Sequence, residues 1–190
     1  MYRGLLADAT FHDLLLACDR DLAEEARAGR CHCGGALHSA TYRRKPRGRP
    51  RSLSLGPEHD RRLSFCCAVD GCRARTTPPS LRFLGPKVYL ATVVVLVAIM
   101  RHGATQSRVR RMHEAVGIDR RTIERWRTWW RDGLTATPFW HTARAALMPP
   151  VDHDRLPASL LDRFAGSDAD RLIALLRFIA PITAGRARAS

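Results

Sequence analysis

The spacing of hydrophobic and polar positions changes several times along this 190-residue chain, and each change marks a structural boundary. In residues 10–28, Phe11, Leu14, Leu15, Cys18 and Leu22 recur at helical spacing, which predicts an amphipathic helix ended by Gly29. The helical period then disappears. Residues 36–42 and 61–66 alternate with a period near two and predict short strands. After Pro78-Pro79 and Gly85-Pro86 it returns. Residues 88–101 are almost continuously apolar and predict a buried helix closed by Gly103. Val109, Met112 and Val116 share one face of 106–116; Gly117 and Ile118 follow, with Gly117 free to end the helix in a left-handed conformation. In 119–131, Ile123, Trp126 and Trp130 fall at i, i+3 and i+7 behind an Asp119 N-cap. Residues 136–190 predict a linker and two helices, 156–165 and 167–180. Ser167 caps the second and Pro181 stops it. Its wide apolar face, Leu172, Ile173, Leu175, Leu176, Phe178 and Ile179, would pack on the 88–101 helix or make a homodimer.

The most apolar run, residues 88–100, is too short to cross a bilayer, which takes about 20 residues. The N-terminus lacks the apolar core of a secretory signal. A cytoplasmic protein with reduced cysteines is therefore expected, and no membrane partner.

Five of the six cysteines form two clusters, Cys31-His32-Cys33-Gly34-Gly35 and Cys66-Cys67-Ala68-Val69-Asp70-Gly71-Cys72. Two close pairs on tight turns are what a tetrahedral structural zinc needs, and the glycines permit such turns. The expected ligands are Cys31, Cys33, Cys67 and Cys72. Cys66 competes with Cys67 for the pairing with Cys72. Cys67 is preferred because it is the nearer in sequence and strand alternation turns Cys66 the other way. His32 and His38 are reserve ligands, and Cys18 reads as a small buried hydrophobe. Four thiolates would close the site, and no His-Glu-x-x-His element stands nearby to manage a bound water, so a catalytic zinc is not expected.

The formal net charge is +14, and it is concentrated. Residues 41–82 hold eleven basic residues against three acids, and 101–131 hold nine arginines against three acids. The ends nearly cancel, at −2 for 1–30 and +1 for 132–190. Two basic blocks imply two surfaces for a polyanion. In the first, Arg43, Arg44, Lys45 and Arg51 flank a Pro46-Arg47-Gly48-Arg49-Pro50 core that adds Arg47 and Arg49, and all six are candidate DNA contacts. That core matches an AT-hook, in which an extended glycine-centred strand lies in the minor groove. The competing reading is a solvated loop that touches phosphates. In the second block Arg120, Arg121, Thr122, Glu124, Arg125 and Arg127 remain on the outer face of the 119–131 helix, as in a DNA-recognition helix.

Taken together, these motifs resemble zinc-ribbon and helix-turn-helix proteins of bacterial mobile elements. The Gly117–Trp126 string is similar to the recognition-helix entry of transposase-type homeodomain-like modules, and the Cys66–Ser80 run to the second knuckle of a transposase zinc ribbon. The first knuckle departs from the usual ligand spacing. The resemblance implies binding to element ends, with DNA cutting left to a separate three-carboxylate domain. Residues 136–190 are too few for such a domain, and Asp152, Asp154, Asp162, Asp168 and Asp170 do not suggest a catalytic cluster.

The expected fold class is mainly α with a small β zinc ribbon: a helix-turn-helix (homeodomain-like) bundle plus flanking helices. Its divisions are an N-terminal amphipathic helix (1–30), the ribbon with its basic loop (31–85), the helix-turn-helix module (86–135), and a linker with C-terminal helices (136–190). The acidic N-terminal helix would buttress the ribbon or contact proteins. The expected function is non-enzymatic, zinc-dependent recognition of double-stranded DNA, in mobile-element end binding, as a transposition accessory, or in transcriptional regulation. A nucleoid-associated location follows, with a separately encoded transposase or integrase as a possible further partner. The alternatives are an RNA-binding or ribosome-associated zinc ribbon, a protein–protein adaptor of a transposition complex, and a compact nuclease using the C-terminal aspartates.

Overall fold

The structure is a computed structural model and describes residues 3–84, 89–91, 93 and 106–187. It is mainly helical with a small antiparallel sheet. A single turn, α1 (Arg3–Leu6), precedes the long α2 (Ala9–Ala28), whose N-cap Asp8 accepts a hydrogen bond from the Thr10 amide. The buried face of α2 takes in Phe11, His12, Leu15, Leu16, Cys18, Asp19 and Ala23. It is rotated away from the stripe expected from sequence, and Leu14 is left 47% exposed. The rotation has a cause: two polar residues, His12 and Asp19, occupy buried positions that hydrophobicity does not mark.

Six short strands follow: β1 (Leu37–Ser39), β2 (Tyr42–Arg43), β3 (Arg61–Arg62), β4 (Phe65–Cys67), β5 (Arg75–Thr77) and β6 (Phe83–Leu84). A seventh, β7 (Tyr89–Leu90), pairs with β6 in register Phe83↔Leu90 and Leu84↔Tyr89. The sequence expectation of helix from residue 88 is corrected here, because strand backbone occupies 89–90. An apolar run gives no period to distinguish the two states. The rest of the 88–101 expectation and Gly103 lie almost entirely outside the described residues.

The helices resume with α3 (Gln106–Val116) and α4 (Arg120–Thr128), joined by a turn with Gly117 at φ +70°. Asp119 caps α4 by accepting from the Thr122 amide at 2.7 Å. A wider turn, Trp129–Gly133, extends α4. Next come α5 (Pro138–Ala143), α6 (Ala158–Leu161) and α7 (Asp168–Ile179). The 156–165 helix is shorter than its pattern suggests. α7 starts on a capping box in which Ser167 and Asp170 each bond the other's backbone amide. A terminal strand, β8 (Gly185–Ala187), completes a four-stranded sheet in the order β1-β4-β5-β8.

Two apolar clusters organise these elements. The larger joins Phe11, Leu15 and Cys18 of α2 to β6 and β7, the α3–α4 pair and the C-terminal helices, around Trp130, Trp140 and Leu172, each fully buried. The smaller holds Ala23, Cys31, Leu37, Phe65, Cys67 and Ala74.

A buried polar joint ties the sheet region to α2. Asp19 accepts from the Ser80 hydroxyl (2.6 Å), the Leu81 amide (2.6 Å) and the Arg82 Nε (2.8 Å). The Arg82 guanidinium also donates to the backbone carbonyls of Glu58, His59 and Arg61. Arg62 donates to the Pro78 carbonyl and, at 3.1 Å, to that of Thr183, and the Ser80 amide donates to the Thr183 hydroxyl. These bonds and the β5–β8 pairing fasten the C-terminal tail to the sheet.

Candidate metal centre and basic surface

Two tight turns bring four sulfurs together. In the first, the Gly34 amide donates to the Cys31 carbonyl (2.8 Å) and the Cys31 amide to the Gly35 carbonyl (3.0 Å). In the second, the Cys72 amide donates to the Val69 carbonyl (3.1 Å) and the Cys67 amide to the Ala74 carbonyl (3.0 Å). Pairing of β1 with β4, Leu37 opposite Cys67, sets the two turns side by side. Gly35 is required by close approach: a Cβ there would lie 2.5 Å from Val69 Cγ2 and 2.8 Å from Cys67 Sγ.

Cys31, Cys33, Cys67 and Cys72 have sulfurs that all lie within 4.8 Å of one another. The Cys31–Cys72 and Cys33–Cys67 separations are 3.7 and 3.5 Å. A disulfide needs about 2.05 Å. A tetrahedron of sulfurs around a metal at about 2.3 Å has an edge near 3.8 Å, so the spacing fits a metal and not a crosslink. Among the described residues this is the one group of three or more candidate ligands within reach of a common ion.

Backbone amides favour the thiolate at three of the sulfurs, but they prevail only at Cys33. The Gly35 amide, helped by bonds from Cys67 and Cys72, lowers the Cys33 thiol to about 7. The Val69 amide, 3.4 Å from Cys67 Sγ, draws that thiol down. Burial and the neighbouring sulfurs outweigh it and push Cys67 up to about 12. Cys72 is likewise raised: the Ala74 amide pulls it down, but Cys33 and burial prevail. Cys33, Cys67 and Cys72 therefore hold their protons unevenly, and a divalent cation would displace those that remain.

Cys66 stands apart. Its thiol donates to the Arg73 carbonyl at 3.4 Å, and it pairs across the strands with His38, on the face opposite Cys67 and Leu37. His32 Nδ1 lies 3.5 Å from Cys31 Sγ, outside the four-sulfur set. Cys18 is buried in the larger apolar cluster. The C-terminal carboxylates have structural partners. Asp152 caps a short turn, Asp162 pairs with Arg171 at 3.0 Å, and Asp168 and Asp170 occupy the first turn of α7.

The 43–51 loop is not a free hook. Gly48 and Pro50 are buried, because the loop packs against the α3–α4 turn. Arg49 turns inward to Asp60 (3.2 Å) and the Leu55 carbonyl, while Arg44 bonds the Tyr42 hydroxyl and lies over its ring. Arg43, Lys45, Arg47 and Arg51 are exposed. On α4, Arg120, Arg121, Glu124 and Arg125 are exposed, while Thr122 and Arg127 are half-buried. Arg120 and Glu124 pair at 2.8 Å, one turn apart. The opposite face buries Ile123 and Trp126, and Ile118 fills the turn.

Sequence reasoning missed the buried Asp19–Arg82 joint, which links α2 to the segment after β5 and, through Arg82, to the carbonyls of residues 58, 59 and 61. Its only local signal is charge at positions of a buried pattern. Comparison of the chain with protein-family models, with curated proteins and with solved structures gave no match, so the reading of the site rests on its own residues. No helix among the described residues is long and apolar enough to cross a membrane.

Proposed function

We propose that this chain belongs to the class of small zinc-ribbon and helix-turn-helix proteins and binds double-stranded DNA without acting on it chemically. Cys31, Cys33, Cys67 and Cys72 would hold a structural zinc ion, whose bonds supply folding energy to a sheet whose own apolar cluster is small. Four thiolates leave no open coordination position, which argues for a structural role. The observation that carries the reading is the α3–turn–α4 unit: a glycine turn plugged by Ile118, an Asp119-capped second helix with Ile123 and Trp126 inward, and Arg120, Arg121 and Arg125 outward. That is the division of faces a recognition helix needs, since arginine forks match guanine edges and phosphates. In this reading Arg121 meets base edges, while Arg47 and Arg51 meet the backbone. Mobile-element end recognition and transcriptional control both follow from such binding, with a separately encoded transposase or integrase as partner in the first.

The test is selection of bound sequences from a random duplex pool, with metal content measured on the same sample. About one zinc per chain, an enriched sequence and steep loss of affinity with salt are the expected results. Preference for structured RNA over duplex DNA in direct competition, or binding insensitive to salt, would sink it.

A further inference from the structure

The two basic blocks are far apart in sequence but locked together in space. The Arg51 amide donates to the Ala115 carbonyl at 2.9 Å, in the last turn of α3. Gly48, at φ +80°, sits against the larger core: a Cβ there would lie 3.2 Å from Val93 Cγ1 and 3.5 Å from Ile118 Cδ1. A Cβ on Gly117 would meet Arg51 Nη2 at 3.8 Å, which puts this guanidinium at the turn that leads into α4. The Arg47 carbonyl accepts from the Leu90 amide at 3.1 Å, so the loop is pinned at its middle as well.

An AT-hook needs a glycine whose open side lies on the floor of the minor groove. Here Val93 and Ile118 fill that side. Arg47 and Arg51 remain outward, with Arg51 at the turn that leads into α4, where Arg120, Arg121 and Glu124 are exposed and Arg120 pairs with Glu124. We infer that the 43–51 loop and α4 form one rigid composite surface for a single DNA duplex, with α4 at the base edges and Arg47 and Arg51 on the sugar-phosphate backbone bordering the same groove. The inference rests on the DNA-binding reading and adds to it a fixed register between the modules. Because the loop is already ordered, its contacts cost little conformational entropy on binding. They add affinity without sequence preference, as phosphate contacts do.

The test uses the full, metal-loaded chain and a duplex of roughly 16 base pairs, about one and a half turns, carrying the selected sequence or a scramble of it. Binding is followed by fluorescence anisotropy across a salt series. The expected stoichiometry is one chain per duplex. Arg47→Ala and Arg51→Ala should each lower the slope of log affinity against log salt by about one, and should weaken both duplexes in the same ratio. Arg121→Ala should weaken the selected duplex more than the scramble. Gly48→Val, with metal content retained, should lower affinity although every cation is still present. If Arg47→Ala and Arg51→Ala leave the slope unchanged while Arg121→Ala weakens binding, the composite surface is wrong and the DNA-binding reading stands. Two duplexes per chain would also overturn the composite surface. Failure of the wild-type chain to bind any duplex overturns both.

Discussion

Replacing Asp19 with alanine tests whether the buried joint fastens α2 to the segment between β5 and β6 and to the turn that leads into β3. Asp19 is 1% exposed and Arg82 is 4% exposed, so neither charge has water to fall back on. Asp19→Ala removes the acceptor for the Ser80 hydroxyl, the Leu81 amide and Arg82 Nε at once. Arg82 keeps its three carbonyl partners but loses its counter-charge. Breaking a buried pair from one side costs about 3–5 kcal/mol, out of a total stability of about 5–15 kcal/mol for a folded domain. At about 2–4 °C per kcal/mol for a chain of this length, the melting temperature should fall by roughly 6–20 °C. The assay is thermal and urea unfolding followed by circular dichroism, with metal content checked before and after. Asp19→Asn keeps one carbonyl acceptor and should lie between wild type and Asp19→Ala. Replacing both partners, Asp19→Leu with Arg82→Met, should recover part of the loss, because no lone charge is left buried. Recovery stays incomplete, since the carbonyls of residues 58, 59 and 61 lose their donor. A loss below about 1 kcal/mol for Asp19→Ala would refute the reasoning, because no desolvated ion pair can be broken that cheaply.

Gly35→Ala should lower metal affinity by roughly 10–100-fold in competition with a chromogenic chelator, because the added methyl displaces Cys67 Sγ and Val69; unchanged affinity would mean that the first turn is looser than described. His12 is held below its ordinary value chiefly by burial, against the Leu6 carbonyl, which favours the charged ring. The unfolded chain therefore takes up a proton first as pH falls. The contribution of His12 to stability is full above about 6.5 and declines as pH drops toward the lower folded value. His12→Gln should flatten the urea midpoint between pH 7.5 and pH 5.5, and an unaltered profile would assign that dependence elsewhere. Asp119→Ala should cost about 1 kcal/mol through loss of the α4 cap. The Thr122 amide and hydroxyl hold the Asp119 carboxyl below the usual carboxylate range. Its contribution is therefore present above about pH 3.9 and lost as pH falls through the folded value, so the variant and wild type should converge in strong acid.

Where a residue's role is set by its neighbours in sequence, that role was readable. Two close cysteine pairs announce a four-thiol site because the turn that makes each pair is local. The choice of Cys67 over Cys66 follows from strand alternation, and the register, Leu37 opposite Cys67 and His38 opposite Cys66, places the two on opposite faces. Gly117, Asp119 and Ser167 act at helix ends for equally local reasons. The illegible features need a distant partner. Asp19 is buried because Arg82, 63 residues on, neutralises it, and no window around either residue contains that fact. The Gly185–Ala187 strand has no alternation to read and exists because β5 offers it an edge.

The same distinction changes what the charge means. Of the eleven basic residues between 41 and 82, Arg62 and Arg82 are buried, and Arg44 and Arg49 are half-buried on internal partners. These four serve the fold: each bonds carbonyls, a phenol or a carboxylate of the chain itself, and the buried Arg62 and Arg82 are closed to an outside anion. The exposed remainder is Arg43, Lys45, Arg47, Arg51, Arg61, Arg73 and Arg75, and they do not all belong to one loop. Under the proposed DNA-binding reading, the salt dependence should therefore be shallower than the net charge of the block implies. Each phosphate neutralised contributes about 0.9 to the slope, and only cations on the duplex-facing side contribute. The arginines that make the chain so basic thus divide into a buried set that holds the fold together and an exposed set that would be open to an anionic partner under the proposed DNA-binding reading.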